Sequence, residues 1–106
     1  MVHAVDRIHI MTFVDRIADA RDIAEIFELV NEFVEAVHHA GEIQQLPKEV
    51  RPGRINTADD LSYWLRLISE EIRRREETGD ETPDIAFALH TVLDTALQRL
   101  RSDWYH

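Results

Sequence analysis

Glu35 and His38 form a Glu-x-x-His sequence, the first candidate in this chain for a chemical function. Carboxylate-bridged two-metal bundles use this spacing twice, together with two further glutamates that point into the bundle. Only one such spacing is present here, and the helical pattern places Glu35 on the outward side. His39 diverges from its neighbour His38 on a helix, so the two rings do not easily hold one ion. We therefore predict no metal site and assign both histidines to the negative last turn of a helix.

Covalent catalysis also lacks suitable residues. The chain has no cysteine, which removes thiolate nucleophiles, disulfides and Cys-ligated zinc together. Ser62, Ser69 and Ser102 stand outside any Gly-x-Ser-x-Gly turn, and the three glycines form no phosphate-binding loop. We therefore predict that the protein is not an enzyme and uses no cofactor. A helical enzyme or metal carrier remains a third possibility, which elemental analysis of protein purified without chelator would test.

The most uneven charge pattern is a row of glutamates spaced three and four residues apart, and no Lys or Arg occurs between Arg21 and Lys48. This acidic row consists of Glu25, Glu28, Glu32 and Glu35. Like charges at these spacings cost an isolated helix about 0.2–0.5 kcal/mol per pair. The row extends over about 15 Å of helix, a length over which DNA carries several phosphates. We predict that the row binds a partner by imitating nucleic-acid charge, and a simple solubility surface is the alternative.

The overall charge limits the class of partner. The formal net charge of −9 repels phosphate backbones and anionic membranes and attracts basic surfaces. We expect a protein partner with a basic surface, no direct binding of nucleic acid and no membrane association. The apolar runs are short and the first residues show no cleavage pattern, so neither a spanning helix nor a signal peptide is expected. A cytoplasmic location fits these features.

In its acidity, its size of 106 residues and its lack of catalytic residues, the chain resembles the small helical inhibitors that phages and mobile elements make against bacterial defence systems. These include anti-CRISPR and antirestriction proteins. The features that carry the resemblance are the acidic row and the absence of reactive constellations. It implies a non-enzymatic inhibitor of a nucleic-acid-handling protein complex. Because these inhibitors share no common motif, the resemblance assigns no site residue.

Apolar periodicity predicts the elements that position the acidic row. We expect a single domain, residues 1–106, folded as a compact all-α bundle with helices over 9–19, 21–40, 58–78 and 83–103. The break near Asp19–Asp22 follows from the apolar face, which would otherwise have to change direction within one straight helix. A three-helix form, with the first two helices merged into one bent helix, is the alternative. Residues 1–9 fit no clear pattern.

Each predicted helix has an apolar face. The second helix carries Ile23, Ile26, Phe27, Val30, Phe33, Val34 and Val37, and the third carries Leu61, Trp64, Leu65, Ile68 and Ile72. The fourth carries Ile85, Leu89, Val92, Leu93, Ala96, Leu97, Leu100 and Trp104, a face wide enough for two neighbours, which predicts that this helix is central. On the outside of the third helix, charges of opposite sign alternate between Arg66 and Glu77, as on an ordinary solvated surface.

Residues 41–56, which we call the connecting segment, have no sustained periodicity and contain two prolines and two glycines. Connections of this length in a small domain are often binding elements. Lys48, Arg51 and Arg54 make the segment basic. It therefore has two interpretations: it packs over the acidic row as an internal counterion, or it touches a partner.

Three apolar residues support a rival function. Phe87 points away from the apolar face of its helix, and Tyr63 and Leu67 lie off the stripe of theirs. Our first interpretation is that the connecting segment or residues 1–9 cover Phe87. If it is exposed instead, the chain is a helical regulatory or dimerisation module, such as a homodimer, that binds through apolar side chains.

Overall fold

The computed structural model of the protein describes residues 10–104, and this part contains four α-helices and no strand. The helices are α1 (Ile10–Ala18), α2 (Ile23–Ala40), α3 (Ala58–Thr78) and α4 (Asp84–Trp104), and two short 3₁₀ turns, Glu42–Gln45 and Lys48–Val50, lie between α2 and α3. The all-α four-helix prediction is therefore confirmed, and the first two helices are separate. Residues 1–9, including the predicted first residue of the first helix, lie outside the described range. No described helix is long and apolar enough to cross a membrane.

The caps of α2 explain why it is separate from α1. The Asp22 side chain accepts a hydrogen bond from the backbone N–H of Glu25 at 2.8 Å, which satisfies one of the unpaired donors of the first turn. At the other end Gly41 adopts a left-handed conformation with φ of 81°, which a side chain would make costly. The helix ends at Ala40, as the sequence predicts, but it begins at Ile23 and not at residue 21, because Asp22 acts as the cap.

A capping box fixes the start of α3. The Thr57 hydroxyl accepts from the backbone N–H of Asp60 at 3.1 Å, and the Asp60 carboxylate accepts from the backbone N–H groups of Asn56 and Thr57. The hydrogen bond from Asn56 is the largest cause that lowers the pKa of Asp60 below its ordinary value. These reciprocal bonds explain why α3 begins at Ala58, the residue at which the sequence predicts its start.

We expect Thr57→Ala to lower the free energy of unfolding by about 1 kcal/mol, because the N–H of Asp60 loses its acceptor. Urea denaturation followed by circular dichroism measures this change. Thr12 is exposed on α1 and makes no hydrogen bond with the described residues, so Thr12→Ala is the matched control and should change stability by less than about 0.5 kcal/mol. Equal effects of the two substitutions would contradict the role of the cap.

The last helix is central, as predicted: α4 packs against each of the other three helices. It also stabilises the C-terminal end of α1, because the Arg99 guanidinium donates to the backbone oxygens of Ala18 and Ala20. Most of the predicted apolar faces are buried in one cluster, which contains Phe13, Ile17, Ile26, Val30, Phe33, Leu61, Ile68, Ile85, Leu89 and Leu93 among others. The side chain of Trp104, predicted for this face, is outside the described set.

One predicted core residue is not in the core. Ile23 was assigned to the buried face of α2, but it is 48% exposed, whereas Leu29, which the stripe omitted, is buried. Ile23 is the first residue of α2, directly after the Asp22 cap. At that position no preceding turn of the helix and no packed neighbour covers its side chain.

The charges of α3 also pair differently from the sequence prediction. The exposed alternation between Arg66 and Glu77 suggested solvated pairs, but the ion pairs of this helix converge on Glu71, whose side chain is only 6% exposed. Arg74 donates to both of its oxygens, at 3.1 and 2.7 Å, and Arg75 donates to one at 2.6 Å. The other two guanidinium nitrogens of Arg75, Nη1 and Nη2, donate to the backbone oxygens of Glu81 and Gln45. The buried Glu71 carboxylate thus holds Arg75, which joins α3 to the turn before α4 and to the connecting segment.

Candidate functional site

The acidic row runs along the outer side of α2, as its spacing predicts. Glu28, Glu32 and Glu35 are exposed, Glu25 is half-buried, and the residues between them, such as Val30 and Phe33, lie in the core. The helix therefore holds the four side chains on one rigid rod whose back is fixed by packing. About 15 Å of helix separates the first from the last.

Two of the four carboxylates have partners within the chain. Glu32 Oε1 lies 3.6 Å from Arg16 Nη1 of α1, and both side chains are about half exposed. Glu25 Oε2 accepts a weak hydrogen bond of 3.4 Å from the backbone N–H of Arg21, before the start of α2. Arg16 also lies over the ring of Phe13, at 5.9 Å from its centroid. An exposed pair of this kind contributes on the order of 0–1 kcal/mol.

The other two carboxylates, those of Glu28 and Glu35, make no hydrogen bond or ion pair with the described residues. The basic residues of the connecting segment do not neutralise them. Arg51 donates to the backbone oxygens of Leu46 and Gln44, and Lys48 and Arg54 form no ion pair with the described part of the chain. Among the described residues the segment therefore forms no ion pair with the acidic row, whereas Arg16 of α1 does.

A shallow groove of about 380 Å³ follows the first three members of the row. The groove lies where α1 meets α2. It is lined by Arg16, Asp22, Ala24, Glu25, Glu28, Leu29 and Glu32. Four of these seven side chains are acidic and one is basic. Such a surface is suited to binding cations, and the exposed Arg16–Glu32 pair contributes too little energy to oppose a competing cation strongly.

His38, which the sequence analysis considered as a metal ligand, makes a contact that stabilises the fold. The His38 Nε2 lies 2.8 Å from the backbone oxygen of Pro52 and donates to it, which ties α2 to the connecting segment. No group of three or more metal-ligating side chains is found among residues 10–104. Glu35, three residues before His38, is exposed, as its position in the helix predicts.

Asn31 is a functional neighbour that the sequence analysis missed. It is 8% exposed, and its amide forms what we call the Asn31 clamp. The Nδ2 group donates to the backbone oxygens of Ile55 at 2.7 Å and Phe27 at 2.9 Å, and Oδ1 accepts from the Ile55 backbone N–H at 2.8 Å. The clamp and the His38 contact hold residues 52–55 against α2, beside the acidic row. The signal in the sequence was an amide in the apolar register, four residues after Phe27 and three before Val34.

The apolar residues of the rival hypothesis are only partly exposed. Phe87 is 47% exposed, so the connecting segment does not cover it, and the interpretation that residues 1–9 do so falls outside the described range. Tyr63 is 48% exposed but packs edge-to-face on Trp64 at 5.1 Å, with the Arg66 guanidinium 5.8 Å from its ring. Leu67 is half-buried.

No protein-family model, curated protein or solved structure matches this chain.

Proposed function

We propose that this protein is a non-enzymatic inhibitor that binds, through its acidic row, a basic surface of a nucleic-acid-handling protein complex, in the manner of anti-CRISPR or antirestriction proteins. The observation that carries the proposal is the state of Glu28 and Glu35, which are exposed on a rigid helix and have no partner among the described residues. Such carboxylates can accept charge-assisted hydrogen bonds from arginine or lysine without first breaking internal bonds.

Rigidity supports the same function. A partner that binds α2 does not have to order it, because the helix is capped at both ends and packed along its inner face. The spacing of the four carboxylates along about 15 Å resembles the spacing of charge on a nucleic-acid backbone. A basic groove made for that backbone would therefore gain counterion release from this protein as it does from DNA.

A competition assay tests the proposal. The chain is added to purified CRISPR effector complexes and restriction enzymes bound to fluorescent DNA, and displacement of the DNA is followed by anisotropy at several salt concentrations. We expect displacement by the wild type that weakens steeply as salt rises. Replacing Glu25, Glu28, Glu32 and Glu35 together by Gln should weaken it at least about tenfold, since each lost ion pair contributes up to about 1 kcal/mol.

Four exposed glutamates elsewhere provide a control with the same change in net charge. The set is Glu70, Glu76, Glu77 and Glu81, whose replacement by Gln also raises the formal charge from −9 to −5, that is, −9 + 4. Displacement by this control should stay within about twofold of the wild type. If both variants lose activity equally, net charge rather than the acidic row is responsible, and if the acidic-row variant still displaces DNA at high salt, the mechanism is wrong.

The exposure of Phe87 favours a second candidate, a helical interaction or dimerisation module that binds through apolar side chains. Light scattering of the wild type and of Phe87→Ala separates the two functions. A dimer that dissociates on this substitution, and whose partner binding does not need the acidic row, would favour the second candidate.

A further inference from the structure

A second, smaller cleft lies at the C-terminal end of the acidic row. It has a volume of about 160 Å³ and is formed where the connecting segment crosses α2. Its lining consists of Asn31, Val34, Glu35, His38, Gly53 and Arg54. Because Glu35 belongs both to the acidic row and to this cleft, a partner lying along the row would reach the cleft with the last of its contacting side chains.

Hydrogen-bond acceptors predominate in the lining of the cleft. The Glu35 carboxylate has no partner among the described residues. The His38 ring uses Nε2 to donate to Pro52, so in the neutral ring Nδ1 is an acceptor. Both hydrogens of the Asn31 amide are already committed, whereas its oxygen accepts one bond and has a second lone pair. A group that fits these atoms must therefore bring donors.

Size narrows the choice of donor. A volume of about 160 Å³ is that of about five water molecules at roughly 30 Å³ each. A guanidinium group with its adjoining methylene has five heavy atoms and presents five N–H donors in one plane, which suits a carboxylate and further acceptors at once. The Val34 side chain supplies an apolar wall for the methylene stem.

Arg54 is the one side chain of the lining that opposes a cation. It is exposed and makes no hydrogen bond or ion pair with the described residues, so none of these residues holds its side chain in the cleft. Its charge nevertheless weakens the attraction of the cleft for a second guanidinium. Removing that charge should strengthen binding of a cation and weaken binding of an anion. The direction of the change therefore shows whether the bound group is positively or negatively charged.

We propose that this cleft receives the guanidinium of one arginine side chain of the partner, with the Glu35 carboxylate as its principal acceptor. The proposal rests on the proposed function, since it names the group on the basic partner that contacts the end of the acidic row. It also predicts that a single arginine derivative binds the isolated protein, which can be measured without the partner.

The experiment is an NMR titration of the full chain with N-acetyl-arginine methylamide, and the corresponding citrulline derivative is the neutral isostere. We expect saturable shifts of the Gly53 and Arg54 amides with a dissociation constant on the order of millimolar, and at least fivefold weaker binding of citrulline. Glu35→Gln should weaken binding of the arginine derivative about fivefold or more, and Arg54→Gln should tighten it about twofold. Glu70 is exposed on α3 and does not line this cleft, so Glu70→Gln is the matched control and should have less than a twofold effect.

A steric variant adds an independent readout. A Cβ at Gly53 would meet no atom within 4 Å, so Gly53→Leu is expected to fold normally while narrowing the cleft and weakening binding. Equal binding of citrulline, no effect of Glu35→Gln, or weaker binding in Arg54→Gln would each overturn the proposal, the last because it would indicate an anionic ligand. Binding of the arginine derivative without DNA displacement would overturn the inhibitor function and leave the cleft assignment intact.

Discussion

Replacing Asn31 by leucine is expected to lower the free energy of unfolding by about 3–4 kcal/mol, although leucine is close to asparagine in size and better suited to an apolar core. The Ile55 backbone is buried, and its N–H and C=O both bond to the Asn31 amide. Each buried backbone group left without a partner costs about 1–3 kcal/mol. Two such groups at one residue make this the largest effect that we expect from a single substitution at a polar side chain.

Chemical denaturation gives the size of the effect, and hydrogen exchange gives its cause. In the wild type the Ile55 amide should be protected by the Asn31 clamp, and in Asn31→Leu it should exchange well before the amides of α4. Asn56, the next residue along, is exposed and its side chain makes no bond with the described residues, so Asn56→Leu is the matched control. Comparable destabilisation by both substitutions would mean that the clamp is not the reason.

The second large effect is expected at Glu71, where substitution by alanine should cost about 2–3 kcal/mol. Removing one member of a buried ion pair leaves the remaining charge poorly solvated. Here Arg75 is largely buried and keeps its bonds to Glu81 and Gln45, whereas Arg74 is half exposed and is compensated by water, which reduces the penalty. Glu70→Ala, on an exposed position of the same helix, should stay within about 0.5 kcal/mol of the wild type.

The same residue predicts a pH dependence with a definite sign. Burial acts to raise the pKa of Glu71, but the hydrogen bonds and charges of Arg74 and Arg75 outweigh it, so the pKa in the folded protein lies below the ordinary value of 4.5. The folded state therefore binds this proton less readily than the unfolded state does. The stabilisation is fully present above about pH 4.5–5 and is lost as the pH falls through the folded pKa.

Urea denaturation at pH 7 and at several pH values below 4.5 measures this dependence. Glu71→Gln has no titrating group at position 71, so its stability should fall less steeply in acid than that of the wild type. The gap in stability between the two proteins should narrow as the pH falls. A constant gap across this range would show that the Glu71 carboxylate is not stabilised by its arginines.

The helices themselves were predictable from the sequence because their determinants are local. Apolar residues three and four apart define each buried face, and the caps at Asp22, Gly41 and Thr57 involve atoms only a few residues away. The error at Ile23 has the same origin: periodicity assigns a face but does not show whether a neighbour covers the first residue of the helix.

The polar interior was not predictable in the same way. Asn31 and Ile55 are 24 residues apart, so nothing in the pattern of either segment shows that their polar groups meet. For Glu71, charge alternation suggested a solvated surface, whereas the packing of α3 places this carboxylate inside and its arginines around it. Of the candidate site, the exposure of Glu28, Glu32 and Glu35 followed from helical geometry, but the approach of Arg16 to Glu32 depends on how α1 packs on α2.

The attachment of the connecting segment to α2 has a consequence for protein engineering. Asn31 and His38 bond to backbone atoms of Ile55 and Pro52 and not to the side chains of the segment. Anchorage of that kind does not depend on the identity of the intervening residues, and Gly53 and Arg54 between the two anchors are exposed. Positions 53 and 54 are therefore suited to randomised libraries, in which new recognition loops are selected on this scaffold while its folding is preserved.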